Sequence, residues 1–368
     1  MCNREGEFYP GFDREMGNPM SAKYPTQHTR RVPVVDSRGV QLMPCTPPKA
    51  RILLDQGKAR PKRSKLGLFY IQLTYVVYPD NQPLAVGIDP GSTYEGYSVV
   101  GTQDTVLNIM SEAPTHVKKA VETRRTMRRA RRFRKWRRPI RSNNRLNGKK
   151  RLPASTRSRW EAKARMVHQL TKILPLTDAA IEDVAAVTRR GKGGKWNSNF
   201  SPVQVGKEHL YDLLGGMGLQ VRLYQGYETK MLREAFGLKK TSDKSKQSFW
   251  SHAVDAWALA ADVLGTPQAN CTRLHYMKTI RLHRRQLHRL QASKGGVRKP
   301  YGGTQSLGIK RGALVQHPRY GLCSVGGCDF TKQLVSLHAY RSNKRLTQRA
   351  KPHNLTGLTS TPYRTWLV

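Results

Sequence analysis

Apolar positions in this chain come as short runs bounded by Gly, Pro and Asp, interrupted by long basic segments. The run Leu84-Ala85-Val86-Gly87-Ile88 ends on Asp89, and Pro90-Gly91 break it. That pattern predicts a short buried strand with a carboxylate at its end and a turn behind it. Tyr97 to Val100, after Gly96, predicts the return arm of a hairpin, and Thr105 to Met110 a third strand. A carboxylate at the mouth of a rigid strand is placed to hold a metal ion; a plain Asp-Pro-Gly turn is the alternative.

Upstream, residues 1–31 are polar, rich in Gly, Pro and Asn, and predict a loosely ordered extension. Val32 to Val35, the turn Asp36 to Gly39 and Val40 to Met43 predict two strands. A helix from Pro48 to Gly57 follows, with Thr46 as N-cap and Gly57 just past its end. Lys58, Arg60, Lys62, Arg63 and Lys65 line its exit, and Leu66 to Tyr78 predicts another strand.

Downstream, Ser155 to Leu174 predicts a basic helix. Ala179 to Val184 predicts a strand carrying Glu182, with Asp183 beside it. Trp196 to Gln204 reads as loop, Val205 to Leu214 as helix, Leu219 to Tyr224 as strand and Lys239 to Lys246 as a basic loop. A long helix is expected from Lys244 to Leu264, with Asp243 as N-cap and Gly265 closing it. His252 and Asp255, three apart, would share one face of it. After Gly303, short strands at Ala313 to Gln316, Leu322 to Val325, Gln333 to Tyr340 and Leu346 to Ala350 predict a small β-rich unit.

Charge changes the picture. In 368 residues, 66 Lys and Arg face 24 Asp and Glu, a formal net charge of +42. Such an excess repels itself unless a polyanion neutralises it, and nucleic acid is the natural partner. No apolar run approaches the roughly 18 residues of a membrane span, so a membrane partner is not expected. The five scattered cysteines suit a reduced, cytoplasmic protein; Cys323 and Cys328 alone make only half a zinc site. Arg124 to Arg138 reads RRTMRRARRFRKWRR, nine arginines in fifteen residues, inside a basic stretch from His116 to Arg145. It predicts a helix that needs surrounding phosphates to offset i,i+4 repulsion. Its nucleic-acid contacts are expected from Arg124, Arg125, Arg128, Arg129, Arg131, Arg132, Arg134, Lys135, Arg137 and Arg138, with Phe133 and Trp136 able to stack on bases. From Arg273 the chain is basic again, and the histidines from His275 to His288 suit phosphate contact better than a metal among so many arginines.

Three strands, a helix, a strand with Glu182, a helix, a strand, and a helix with Asp255 is the element order of an RNase H-like α/β fold. Carboxylates converge there at one sheet edge. Asp89, Glu182 and Asp255 are candidate ligands for two Mg²⁺ ions, which supply what phosphodiester hydrolysis requires. His252 is a candidate for activating or orienting the attacking water. Asp183 is the rival second acid, but its side chain should point to the opposite sheet face.

The motifs GIDPGS, IEDV and SHAVDA resemble the three split RuvC motifs of the IscB, IsrB and type II CRISPR nuclease group. The Arg-rich segment resembles that group's bridge helix. VPVVDSRGVQLMPCTPPKARILLDQGKAR resembles the PLMP module of IscB and IsrB proteins, with Gln41 standing where the first proline of that motif would be. Asp183 to Ser251 contains one histidine, His209, too few for an HNH domain, so within the group the resemblance is to IsrB. It implies an omega-RNA-guided nickase that cuts the displaced non-target strand of double-stranded DNA beside a short target-adjacent motif. The implied protein is a monomeric ribonucleoprotein using Mg²⁺, with Mn²⁺ as substitute, in a prokaryotic cytoplasm and encoded by a mobile element. The implied layout is a PLMP module over 32–80, RuvC-I over 81–115, the bridge helix over 116–145, RuvC-II and RuvC-III over 146–265, and a basic linker with a β-rich domain over 266–368. A Holliday-junction resolvase or a non-catalytic RNA-binding protein are the competing readings of the same charge and acids.

Overall fold

The computed structural model describes residues 31–134, 152–183, 202–280, 290–291, 296–297 and 303–368. The expected amino-terminal extension up to residue 30 and the end of the Arg-rich segment lie outside the described residues.

The amino-terminal unit is a four-stranded sheet in the order β2-β1-β4-β3, with one helix. Its elements are β1 (Val32–Val35), β2 (Gln41–Cys45), α1 (Pro47–Asp55), β3 (Ala59–Arg63) and β4 (Phe69–Leu73). Val34, Leu42, Ala50, Ala59, Ile71 and Leu73 form its core. Two expectations change here. Thr46 makes no side-chain cap; Pro47 and Pro48, pre-set for helical φ, start α1 instead. The basic exit of α1 is itself a strand, β3, pairing with β4 from Ala59↔Leu73 to Arg63↔Phe69. Its backbone is satisfied by that ladder while four of its five side chains stay exposed, so its sequence carries no apolar signal. The strand expected from Leu66 to Tyr78 shrinks to β4. Leu66 and Leu68 belong to the turn before it and are buried in the central core.

That core surrounds a seven-stranded mixed sheet. Its central five strands are β5 (Leu84–Asp89), β6 (Tyr94–Gly101), β7 (Thr105–Glu112), β8 (Asp178–Glu182) and β9 (Gln220–Tyr224), lying in the order β7-β6-β5-β8-β9. β5, β6 and β7 are antiparallel neighbours, and β5, β8 and β9 run parallel. That is the strand order of an RNase H-like core. β5 lies between β6 and β8 and is buried throughout. Its alternation is hidden in the sequence but clear in the packing. Leu84, Val86 and Ile88 face one side, against α3 (Ala154–Leu170) and α4 (Pro202–Gly215). Ala85 faces the other, against α6 (Val254–Leu264). Each fully buried large aliphatic here contributes about 1.5–3 kcal/mol. α3 turns Trp160, Lys163, Ala164, Val167 and Leu170 inward, a helical stripe of which Lys163 is a charged member. Lys163 Nζ is 2.7 Å from Glu95 on β6, and Tyr97 donates its hydroxyl to the same carboxylate at 2.7 Å.

α2 (His116–Arg134) leaves the sheet after β7. The helix expected over Lys244–Leu264 is shorter. Asp243 accepts from the Ser245 amide at 2.9 Å and hydroxyl at 2.7 Å, making a turn instead of a cap. A π-helical turn, Phe249–Ala253, leads into α6, which Gly265 (φ +67°) closes as expected. One helix was unmarked by the motif pattern: α5 (Gly226–Ala235), started by a capping box between Gln225 and Glu228.

β10 (His275–Thr279) extends the central sheet parallel to β7. Beyond it lie β11 (Leu314–His317), β12 (Gly321–Asp329), β13 (Leu334–Ala339), β14 (Arg345–Ala350), a 3₁₀ turn at Pro352–Asn354, and β15 (Thr356–Thr359). These five strands form one antiparallel sheet, with the last returning beside the first. Val315, Cys323, Val325, Val335, Leu337 and Ala350 make its core. The last strand, β16 (Tyr363–Leu367), goes back to pair with β10. The boundary expected at 265/266 therefore cuts through the central sheet, because β10 and β16 belong to it. Arg364 on β16 donates to the Gly312 carbonyl and Thr365 to that of Leu66, tying the three units together.

Candidate active site

Strand parity decides which acids meet. In β5, Asp89 lies on the α6 face with Ala85 and Gly87. In β8, Ala179 and Ile181 pack toward α3 and α4, so Glu182 falls on the α6 face and Asp183 on the other. β5 and β8 run parallel in register, Ile88 opposite Ile181, which brings Asp89 and Glu182 together at the carboxyl edge of the sheet. Asp183 is occupied elsewhere: it pairs with Lys207 on α4 and accepts from the Tyr211 hydroxyl at 2.7 Å. Burial pushes its carboxyl up, but the bonds from Lys207 and Tyr211 and the Lys207 charge outweigh this and hold it below the usual range.

Two glycines allow α6 and its π turn to press onto this face. A Cβ at Gly87 would lie 2.6 Å from the carbonyl carbon of Ala256, and one at Gly96 would lie 2.5 Å from that of His252. Gly96 is also the cross-strand partner of Asp89. Backbone-to-backbone contact here sets His252 and Asp255 over the strand ends. All three of Asp89, His252 and Asp255 are buried.

His252 Nδ1 stands 3.1 Å from Asp89 Oδ2, and its Nε2 stands 3.1 Å from the Lys244 carbonyl oxygen. A carbonyl only accepts, so Nε2 carries a proton, and Nδ1 and the Asp89 carboxyl share one more between them. Asp255 Oδ1 accepts from Arg233 Nη1 at 2.6 Å. Its Oδ2 pairs with Lys240, whose ammonium is 3.6 Å from Asp89 Oδ2. Glu182 is pushed up to about 7, first by burial and then by the charges of Asp89 and Asp255, with Lys240 opposing. Burial lowers the Lys240 ammonium, but Asp89, Asp255 and Glu182 more than restore it, leaving it above its ordinary value.

The structure thus brings Asp89, Glu182, His252 and Asp255 to one place. Among the described residues, no three acidic, His or Cys side chains are arranged to close on a metal ion as they stand, and Lys240 reaches between Asp89 and Asp255. Arg233 and Lys240 had no distinguishing mark in the sequence. Arg233 sits on the unexpected α5 and Lys240 in what reads as one more basic loop. The capping pair Gln225/Glu228 was the one local signal for α5.

Of the expected nucleic-acid contacts, Arg124, Arg125, Arg128 and Arg129 lie on α2 and are exposed. They carry no ion pair among the described residues. Arg131, Arg132, Phe133 and Arg134 lie within the helical span. Lys135, Trp136, Arg137 and Arg138 lie outside the described residues. No helix among the described residues is long and apolar enough to cross a membrane.

The family model for RRXRR proteins matches residues 32–199, from the amino-terminal sheet through the Arg-rich segment and β8. Two solved structures are similar to half of this chain. One is Thermus thermophilus RuvC in complex with a Holliday-junction substrate, at 16% identity, covering 50% of this chain and 98% of that one, with a TM-score of 0.28. The other is Thermus thermophilus RuvC, at 15% identity, covering 50% and 97%, with a TM-score of 0.26. No curated protein matches the sequence.

Proposed function

We propose that this chain is an RNA-guided DNA nickase of the IsrB kind, hydrolysing a phosphodiester of the displaced strand. The observation that carries it is the meeting of Asp89, Glu182, Asp255 and His252, from separate segments, at the carboxyl edge of one RNase H-like sheet. The donor chemistry fits Mg²⁺ or Mn²⁺: hard carboxylate oxygens on rigid elements, with Glu182 pushed up by burial first and then by the neighbouring charges of Asp89 and Asp255. Asp89, Glu182 and Asp255 would hold the ions, which supply an activated water and a stabilised leaving oxygen when bound. With Arg233 on Oδ1, the oxygen Asp255 would give to an ion is Oδ2, which Lys240 holds here. With Nε2 committed to the Lys244 carbonyl and Nδ1 sharing a proton with the Asp89 carboxyl, neither ring nitrogen of His252 is open to take a proton from the attacking water, and its role would be to orient Asp89.

The remaining parts support a guided enzyme. The exposed arginines of α2 suit bidentate phosphate contact with a guide RNA, the role of the bridge helix. The amino-terminal sheet, with its basic outer strand β3, suits the PLMP role of gripping that RNA. The five-stranded unit, with Arg345 and Arg349 exposed on β14, suits reading the duplex beside the target. Pairing would then read sequence while protein reads backbone shape and a short motif. The single histidine between Asp183 and Ser251 supports one cut instead of two.

The test combines the full chain, co-expressed with the noncoding RNA flanking its gene, with supercoiled plasmid carrying the guide-matched site beside a randomised flank. Mg²⁺-dependent conversion to open circle, with the break in the non-target strand, is the expected result. Cutting of four-way junctions without RNA would replace the proposal with a resolvase. RNA binding without any Mg²⁺-dependent break would leave a binding protein.

A further inference from the structure

Asp255 has no free oxygen. Oδ1 is held by Arg233 at 2.6 Å and Oδ2 by Lys240, whose ammonium also lies 3.6 Å from Asp89. The two cations are not equivalent. Arg233 rises from α5, a packed helix whose Thr229 is buried and whose Leu232 packs against the α6 core. Lys240 sits in a loop pinned on both sides: Leu238 is buried in that core, and the Thr241 amide donates to the Trp250 carbonyl at 2.8 Å. Its backbone is fixed, yet its side chain is a quarter exposed and runs on four rotatable bonds, so the ammonium can swing out without moving the chain. A divalent ion held by Asp89 and Asp255 would need the space that this ammonium fills.

We propose that Lys240 is a resident cation which holds Asp89 and Asp255 together before metal arrives and which the metal must displace. Lys240, more than the carboxylates alone, then sets the affinity of the site for divalent ions, and its ammonium would turn out toward solvent when they bind. This rests on the nuclease assignment above. By linkage, removing the charge strengthens metal binding, and metal binding exposes the charge.

Two measurements on the full chain test it, neither of them a cleavage rate. Mn²⁺ titration calorimetry of the wild type, Lys240→Met and Asp89→Asn should give saturable binding that Asp89→Asn loses. Lys240→Met should bind at least about tenfold more tightly. A site seen in Lys240→Met and absent from the wild type supports the proposal in stronger form. Equal or weaker binding in Lys240→Met, with the Asp89-dependent site intact, overturns the proposal and leaves the nuclease assignment standing. No Asp89-dependent site in either protein overturns both. Because Lys240→Met removes the countercharge of three acids and risks misfolding, the second measurement uses the wild type: acylation of lysines followed residue by residue with mass spectrometry. Lys240 should react several-fold faster with Mn²⁺ than with EDTA, while Lys239 stays unchanged. Equal rates overturn the proposal.

Discussion

Gly87 is the position where one methyl group should dismantle the site without touching any charged residue. A Cβ there would lie 2.6 Å from the carbonyl carbon and 3.2 Å from the Cα of Ala256. The carbonyl oxygen of Ala256 lies nearer still, and carbon atoms pack comfortably at about 3.5–4.0 Å, so in Gly87→Ala α6 must withdraw by at least about 1 Å. Neither partner can give way by rotating a side chain, since all of these contacts are backbone. Overpacking of this kind costs about 1–3 kcal/mol. At about 2–4 °C per kcal/mol for a unit of this size, Tm should fall by roughly 2–12 °C. The chemical loss should be larger in proportion. Asp255 lies in the first turn of the helix that moves, and a misplacement of about 1 Å costs on the order of 10²-fold in rate. Gly215→Ala, at the end of α4 with nothing within 4 Å of the added carbon, is the control. The assays are thermal unfolding and the Mg²⁺-dependent nicking rate of both variants. If Gly87→Ala unfolds and cuts like Gly215→Ala, the close approach of α6 to β5 is not what positions Asp255.

Asp89→Asn should abolish cutting while leaving RNA affinity unchanged in a filter-binding assay; retained cutting would remove the carboxylate assignment. Glu182, raised to about 7 in the fold, binds more protons there than in the unfolded chain between its ordinary value and about 7. Its contribution is therefore present at low pH and lost as pH rises through about 7, so Tm in EDTA should fall from pH 5 to 8, with a smaller slope in Glu182→Gln. Lys163→Ala strands the buried Glu95 carboxylate without its cation and should cost about 3–5 kcal/mol by urea unfolding. Replacing Arg124, Arg125, Arg128 and Arg129 together by Ala should weaken guide-RNA binding and lower the slope of log K against log salt by about 3, if each meets one phosphate.

What the sequence determined by itself is local. An apolar run ending on Asp89 has to be a strand with an acid at its tip. Period-two parity then settles that Glu182 and Asp183 diverge, and the helix-forming arginines before Arg134 predict the helix that the structure shows over His116–Arg134. Gly265 closing α6 follows from the freedom of glycine at positive φ. What only the tertiary structure decided depends on partners far away along the chain. β3, β10 and β16 are strands because a neighbour offers an open ladder, and backbone hydrogen bonding leaves no pattern in the side chains. The break of the expected long helix into a turn, a π turn and α6 follows from Asp243 satisfying local amides and hydroxyls, a choice that competes evenly with capping in sequence terms. Lys240 is one of 66 basic residues. That its ammonium lies between Asp89 and Asp255 is a matter of where a loop passes, which follows from the pressing of α6 against Gly87 and Gly96 and from no property of lysine.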